Sequence, residues 1–153
     1  NKVYQLLDKK NFEEAEKLID MIIDAKNNIS ENVYIRARAQ KIYINLMNNS
    51  VENAQKFYDE QVPVSERRDI ADDISMPSIR AYLLMAGILD KSRSECIIAL
   101  NNVYKAYKKT PKARQNIEMS LFNETLSKVI EAHPKWELEG YLLKAKEESK
   151  KEK

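Results

Sequence analysis

Few side chains in this sequence could carry out covalent chemistry. His133 is the only histidine and Cys96 the only cysteine among 153 residues. A nucleophile with its base would have to use His133, with Cys96 or a serine as the attacking atom. His133 directly precedes Pro134, an ordinary setting for a cap or turn residue at a helix boundary. Cys96 opens the apolar run CIIAL and is expected to behave as a buried small hydrophobe, whereas a reactive thiol needs an open, electropositive site. A single cysteine forms no intrachain disulfide, and a thiolate metal cage is excluded. The acidic pairs Glu13-Glu14, Asp59-Glu60 and Asp72-Asp73 are sequence neighbours. Adjacent residues on a helix point about 100° apart, so such pairs do not converge on one metal. With two glycines in the chain there is no glycine-rich phosphate loop. The expectation is a chain with no catalysis, no cofactor and no metal of its own.

The elements that position these residues read as helices throughout. Two glycines and four prolines are too few for a β protein of this length, while 43% apolar and 33% charged residues suit amphipathic helices around one core. The net charge of +2, with both signs interspersed, argues against a dedicated nucleic-acid surface. The longest apolar runs are far too short to cross a membrane, and no signal peptide is visible. The chain begins at Asn1, already inside a helical pattern, and is read as a piece of a longer protein.

One stretch organises the rest. Leu7–Asp20, LDKKNFEEAEKLID, reads as the bend of a helical hairpin, with Asn11 as cap, Glu14 completing a capping box, and Phe12 and Ala15 opening a buried face. The layout recurs 39 residues later at Leu46–Asp59, with Ser50, Val51 and Ala54 in the equivalent places. It recurs again at Ile88–Leu100, with Ser92 and Glu95 as the box and Cys96 at the alanine position. A repeated hairpin is the signature of a solenoid. The expected hairpins cover 1–27, 30–61, 77–109 and 111–148, with a short bridging helix over 65–74 and a charged tail at 149–153. Together these make one domain over 1–148 with about nine helices and no strand. Pro77, Thr110-Pro111 and His133-Pro134 mark helix starts, and Arg93–Lys109, Pro111–Ala132 and Pro134–Glu148 are each expected as one helix. Gly87, inside the helix that follows Pro77, is read as a point of close helix packing.

These repeats resemble the tetratricopeptide repeat. Asn11-Phe12-Glu13-Glu14-Ala15 with Ile19 matches the opening of that family's second helix. Ser50-Val51-Glu52-Asn53-Ala54 with Tyr58 and Ser92-Arg93-Ser94-Glu95-Cys96 with Leu100 are more distant versions. The spacings of 39 and 42 exceed the family's 34, and Tyr4, Tyr43 and Met85 stand where it places a small residue, so the repeats are degenerate. The resemblance implies an all-α, right-handed α-solenoid of antiparallel hairpins. It also implies a groove, lined by the first helix of each pair, that grips a peptide or helix of a partner protein. Arg38, Lys41 and Asn45 stand at i, i+3 and i+7 of such a first helix, and Arg80 adds to them from the next pair. Together they could hold a carboxylate or an acidic peptide by charge-assisted hydrogen bonds.

The expected function is therefore a non-catalytic protein-interaction module. A regulatory or substrate-docking domain of a larger, membrane-anchored protein is the alternative, and an RNA-binding helical repeat a third reading. The tyrosines, mostly on apolar stripes, are expected in the core or groove wall. The sequons at Asn28, Asn48 and Asn123 are attributed to asparagine richness. A cytoplasmic setting, or the soluble part of an anchored protein, fits the composition. The abundance of asparagine, lysine and isoleucine suggests a low-GC bacterial genome. The identity of the partner and the oligomeric state are not encoded in any of these patterns.

Overall fold

A computed structural model of the chain describes residues 2–142. Among them nine α-helices follow one another, and no strand occurs. They are α1 (Lys2–Asp8), α2 (Phe12–Asp24), α3 (Glu31–Met47), α4 (Val51–Gln61), α5 (Val64–Asp72), α6 (Met76–Leu84), α7 (Arg93–Asn101), α8 (Val103–Lys109) and α9 (Lys112–Ala132). A π-helical turn, Met85–Leu89, extends α6.

The repeated bend is a repeated piece of backbone geometry. Lys10, Asn49 and Lys91 all adopt left-handed conformations, with φ of 59°, 62° and 52°. At the first bend the Asn11 amide donates to the Leu6 carbonyl (2.8 Å) and the Lys10 amide to Leu7 (3.1 Å). At the second, Ser50 donates to Asn45 (2.7 Å) and Asn49 to Leu46 (3.2 Å). Each pair of bonds satisfies carbonyls that the helix end leaves open and turns the chain back for the next helix. At the third bend Ser92 reaches one residue further back, to Ala86 (2.8 Å), because the π turn has inserted an extra residue; its own bond runs from Asp90 to Met85 (2.9 Å). The side-chain caps are less uniform than the sequence suggests. Asn11 and Ser92 accept from the amides of Glu14 and Glu95 (3.5 and 3.3 Å), but Ser50 makes no such bond. The return half of the box is not formed: Glu14 pairs with Lys17, and Glu95 accepts from the Tyr82 hydroxyl. The small positions after each bend, Ala15, Ala54 and Cys96, are all fully buried.

α3 and α6 form the centre. α6 packs against α3 and α9, with α5, α7 and α8 around it. Ile79, Ala81, Leu83 and Leu84 are buried along it. Each of the buried isoleucine and leucine side chains contributes about 1.5–3 kcal/mol relative to exposure. Gly87 in the π turn is a point of close approach: a Cβ there would stand 2.9 Å from Val129 Cγ1. α9 buries residues on two sides, including Leu121, Phe122, Leu126 and Val129, as expected of a helix held between neighbours. It also touches α1, so the first and the ninth helix meet.

Contacts along these helices fix their directions. Arg80 meets Glu118 and, seven residues on, Gly87 lies against Val129, so α6 and α9 run the same way. Tyr4 with Glu118 and Lys10 with Glu124 give α1 that direction too. Arg36 with Asp73 and Tyr43 with Arg80 do the same for α3. The amino-terminal ends of α1, α3, α6 and α9 therefore share one end of the molecule.

Three boundaries differ from the sequence reading. The bridging helix starts at Val64 and ends at Asp72. The helix expected over 93–109 breaks at Asn102, whose side-chain amide donates to the Ile98 carbonyl (3.2 Å), a local bond that competes with the helix ladder. No α-helix starts at Pro134: Pro134–Trp136 is a single 3-10 turn, ended by Glu137 in a left-handed conformation. Residues 139–142 are helical; the remainder of that expected helix, from residue 143 on, and the charged tail lie outside the described residues.

Candidate functional site

At the shared amino-terminal end, a cavity of about 590 Å³ opens between the first turns of α6 and α9. Tyr4 and Glu118 reach into it, Ile74, Met76 and Pro77 form an apolar wall, and Lys109 and Arg114 flank the Thr110-Pro111 start of α9. The local sequence places these groups. The Asp73-Ile74-Ser75 link feeds α6, and proline at the start of each helix fixes the turn that leads into it. Neither of these two helix starts carries a side-chain cap, in contrast to α2, α3 and α7.

The charges in and under the cavity fall into two groups. The first group is paired. Arg36 grips Asp73 with two bonds of 2.8 Å each, and Ser75 and Ser78 donate to the same carboxylate (2.7 and 2.6 Å). Burial alone would raise the Asp73 pKa; these hydrogen bonds outweigh it and hold the carboxyl at about 2. Glu118 accepts from Tyr4 (2.5 Å) and lies 3.1 Å from Nη2 of Arg80. Burial is the largest influence on Arg80 and opposes its charge, but Glu118, Tyr43 and Tyr4 together outweigh it, so the guanidinium stays protonated. Burial, reinforced by Glu118, pushes the Tyr4 hydroxyl well above the usual phenol range.

The second group is not paired. Among the described residues, neither Lys109 nor Arg114 lies within ion-pair distance of a carboxylate. Arg114 rests against the Tyr4 ring, 5.4 Å from its centroid, and its Nε is shielded from water without an acceptor. A charged donor in that state is stabilised by any acceptor that enters. Among the described residues, the exposed Asp72 on the rim is the one carboxylate of the cavity without a cation partner.

The residues expected to bind a peptide are arranged differently. Arg38, Lys41 and Asn45 do share one face of α3, but the chain's own carboxylates cover it. Arg38 Nε stands 3.2 Å from Glu66, and the guanidinium also donates to the Tyr34 hydroxyl. Lys41 contacts Asp20 (2.6 Å) and Glu16 (3.7 Å), and Asn45 donates to Glu16 (2.9 Å). Arg80 does not join them. It is 0% exposed and stacks on Tyr43, which lies about 140° around α3 from Arg38 at 100° per residue. The sequence pattern identified the shared face but not the acidic face of α2 opposite it, nor the burial of Arg80.

Lys109 and Arg114 were overlooked although a signal was present. From Cys96 to Ile117 the chain has five cations and no carboxylate, so the charges are not evenly interspersed. The other reactive candidates have structural neighbours. Cys96 is sealed in the core, and burial pushes its thiol up to about 12. His133 stacks on Trp136 (3.7 Å between centroids, 10° between planes), and its Nε2 donates to the Gly87 carbonyl (2.8 Å), which the π turn leaves free. Among the described residues no group of three His, Cys, Asp or Glu side chains could hold a metal, and no helix is long and apolar enough to cross a membrane. No protein-family model, curated protein or solved structure matches the chain.

Proposed function

We propose that this chain is a non-catalytic interaction module, a degenerate tetratricopeptide-like stack of hairpins curled until α1 and α9 touch. Its site is the cavity between the starts of α6 and α9, and its ligand is an acidic segment of a partner protein. The observation that carries this reading is the pair Lys109 and Arg114, two cations on a cavity without carboxylate partners among the described residues. The α3 face first expected to bind is already paired with the chain's own carboxylates, which moves the reading to the cavity at the starts of α6 and α9. The small net charge of +2 weighs against a nucleic-acid strand, which is normally met by a large excess of cations.

Fluorescence anisotropy with a labelled oligoglutamate peptide tests the proposal. Binding at low salt that weakens at least about tenfold in Lys109→Glu/Arg114→Glu is the expected result, with affinity falling as salt screens the pair. Equal binding by the wild type and the double variant, or none by either, contradicts it.

A further inference from the structure

We infer that the anionic group received in this cavity is a phosphomonoester, held between Arg114 and Lys109 at the start of α9. The inference rests on the reading of the cavity as the binding site and names the chemistry that enters it. Charge is the first reason: two cations without carboxylate partners attract a dianion more strongly than they attract a single carboxylate. Acceptor number is the second. Arg114 brings a planar fork with a shielded, unused Nε, Lys109 brings three rotatable donors, and the first turn of α9 has no side-chain cap of its own. A tetrahedral anion with three terminal oxygens can accept from more of these donors at once than a planar carboxylate can.

Of the carboxylates on the cavity, Asp73 is neutralised by Arg36 and Glu118 by Arg80 below it, while Asp72, exposed on the rim, is the one without a cation partner among the described residues. Size is the third reason. About 590 Å³ is several times what a phosphate needs, and the apolar wall of Ile74, Met76 and Pro77 can cover what the phosphate is attached to. A phosphorylated side chain of the partner segment and a small free phosphomonoester share this chemistry.

Isothermal titration calorimetry with three probes tests the inference: an O-phosphoserine peptide, the same peptide with glutamate in place of phosphoserine, and glycerol phosphate. The phosphopeptide is expected to bind at least about fivefold more tightly than its glutamate counterpart, and to lose about tenfold in Arg114→Gln and less in Lys109→Ala. Lys109 is exposed and its replacement leaves the core untouched, so the Lys109 variant keeps the test valid if the Arg114 variant folds poorly. Glycerol phosphate binding as tightly as the phosphopeptide, with the same sensitivity, supports the inference with a small molecule as the source and contradicts the protein partner. A phosphopeptide that binds no better than the glutamate peptide overturns the phosphomonoester while leaving the acidic-segment reading standing. Failure of all three probes overturns both.

Discussion

Arg80 on α6 and Glu118 on α9 face each other 3.1 Å apart, at 0% and 1% exposure. Tyr43 from α3 lies under the guanidinium and Tyr4 from α1 donates to the carboxylate, so one residue from each of the four like-directed helices meets at this point. A buried pair of this kind fixes which helices lie side by side and in what register. It adds little net stability, because desolvation offsets the attraction.

Removing one partner should therefore be far worse than removing both. Glu118→Gln is expected to lose about 3–5 kcal/mol in urea denaturation, since it strands the Arg80 charge in the core. Arg80→Met combined with Glu118→Leu should recover most of that loss, while Tyr4→Phe should lose only about 1 kcal/mol. A double variant as unstable as the single one would argue against the pair as the source of the effect.

Gly87 is the next sensitive point. A Cβ at residue 87 would meet Val129 at 2.9 and 3.1 Å and Cys96 Sγ at 3.4 Å. Gly87→Ala should destabilise by about 1–3 kcal/mol despite alanine's better helix propensity. Adding Val129→Ala should make the two changes less than additive, because the second opens the space that the first fills. Strict additivity in thermal or chemical melts would contradict the close packing.

Asp73 sets a pH dependence. Its folded-state pKa of about 2 lies below the ordinary 3.8, so its contribution is fully present above about pH 4. That contribution is lost as pH falls through 2, because the unfolded chain then binds the proton first. Arg36→Met should raise the Asp73 pKa and move the acid loss of stability toward pH 4. Carboxyl-carbon NMR across pH 2–5 reads the shift directly; an unchanged Asp73 titration in the variant would contradict the proposed cause.

The thiol of Cys96 provides a check on the core. Buried fully and pushed up to about 12, it should not react with a disulfide reagent at pH 8 until the protein is unfolded in guanidinium. Reaction of the native protein at the rate of a free thiol would mean that the region around α7 opens readily.

The parts of this molecule that the sequence made legible are those set by local chemistry. Cap and alanine-sized residue recur at each bend, and the structure turns at Lys10, Asn49 and Lys91 with the small residues Ala15, Ala54 and Cys96 buried behind them. Helix starts at Pro77 and Pro111 were legible because proline restricts φ wherever it stands. The break at Asn102 and the short turn at Pro134 were not, because apolar periodicity runs through both and weak local bonds decide them. The site was legible only in fragments. Helical spacing placed Arg38, Lys41 and Asn45 on one face, but whether a charged face meets solvent or the chain's own carboxylates depends on packing between helices. Arg80 faces a carboxylate 38 residues away, which no local pattern reveals. The acid-free segment 96–117 was visible, and its meaning emerged once the 73–75 link was seen to close a cavity beside it.

The central claim is the location of the binding site, and amide chemical-shift mapping tests it most directly. On titrating the phosphoserine peptide into labelled protein, the largest shifts should cluster around Lys109, Thr110, Arg114 and the start of α6, and vanish in Lys109→Ala/Arg114→Gln. Shifts centred on Arg38, Lys41 and Asn45, or spread without a centre, would contradict it.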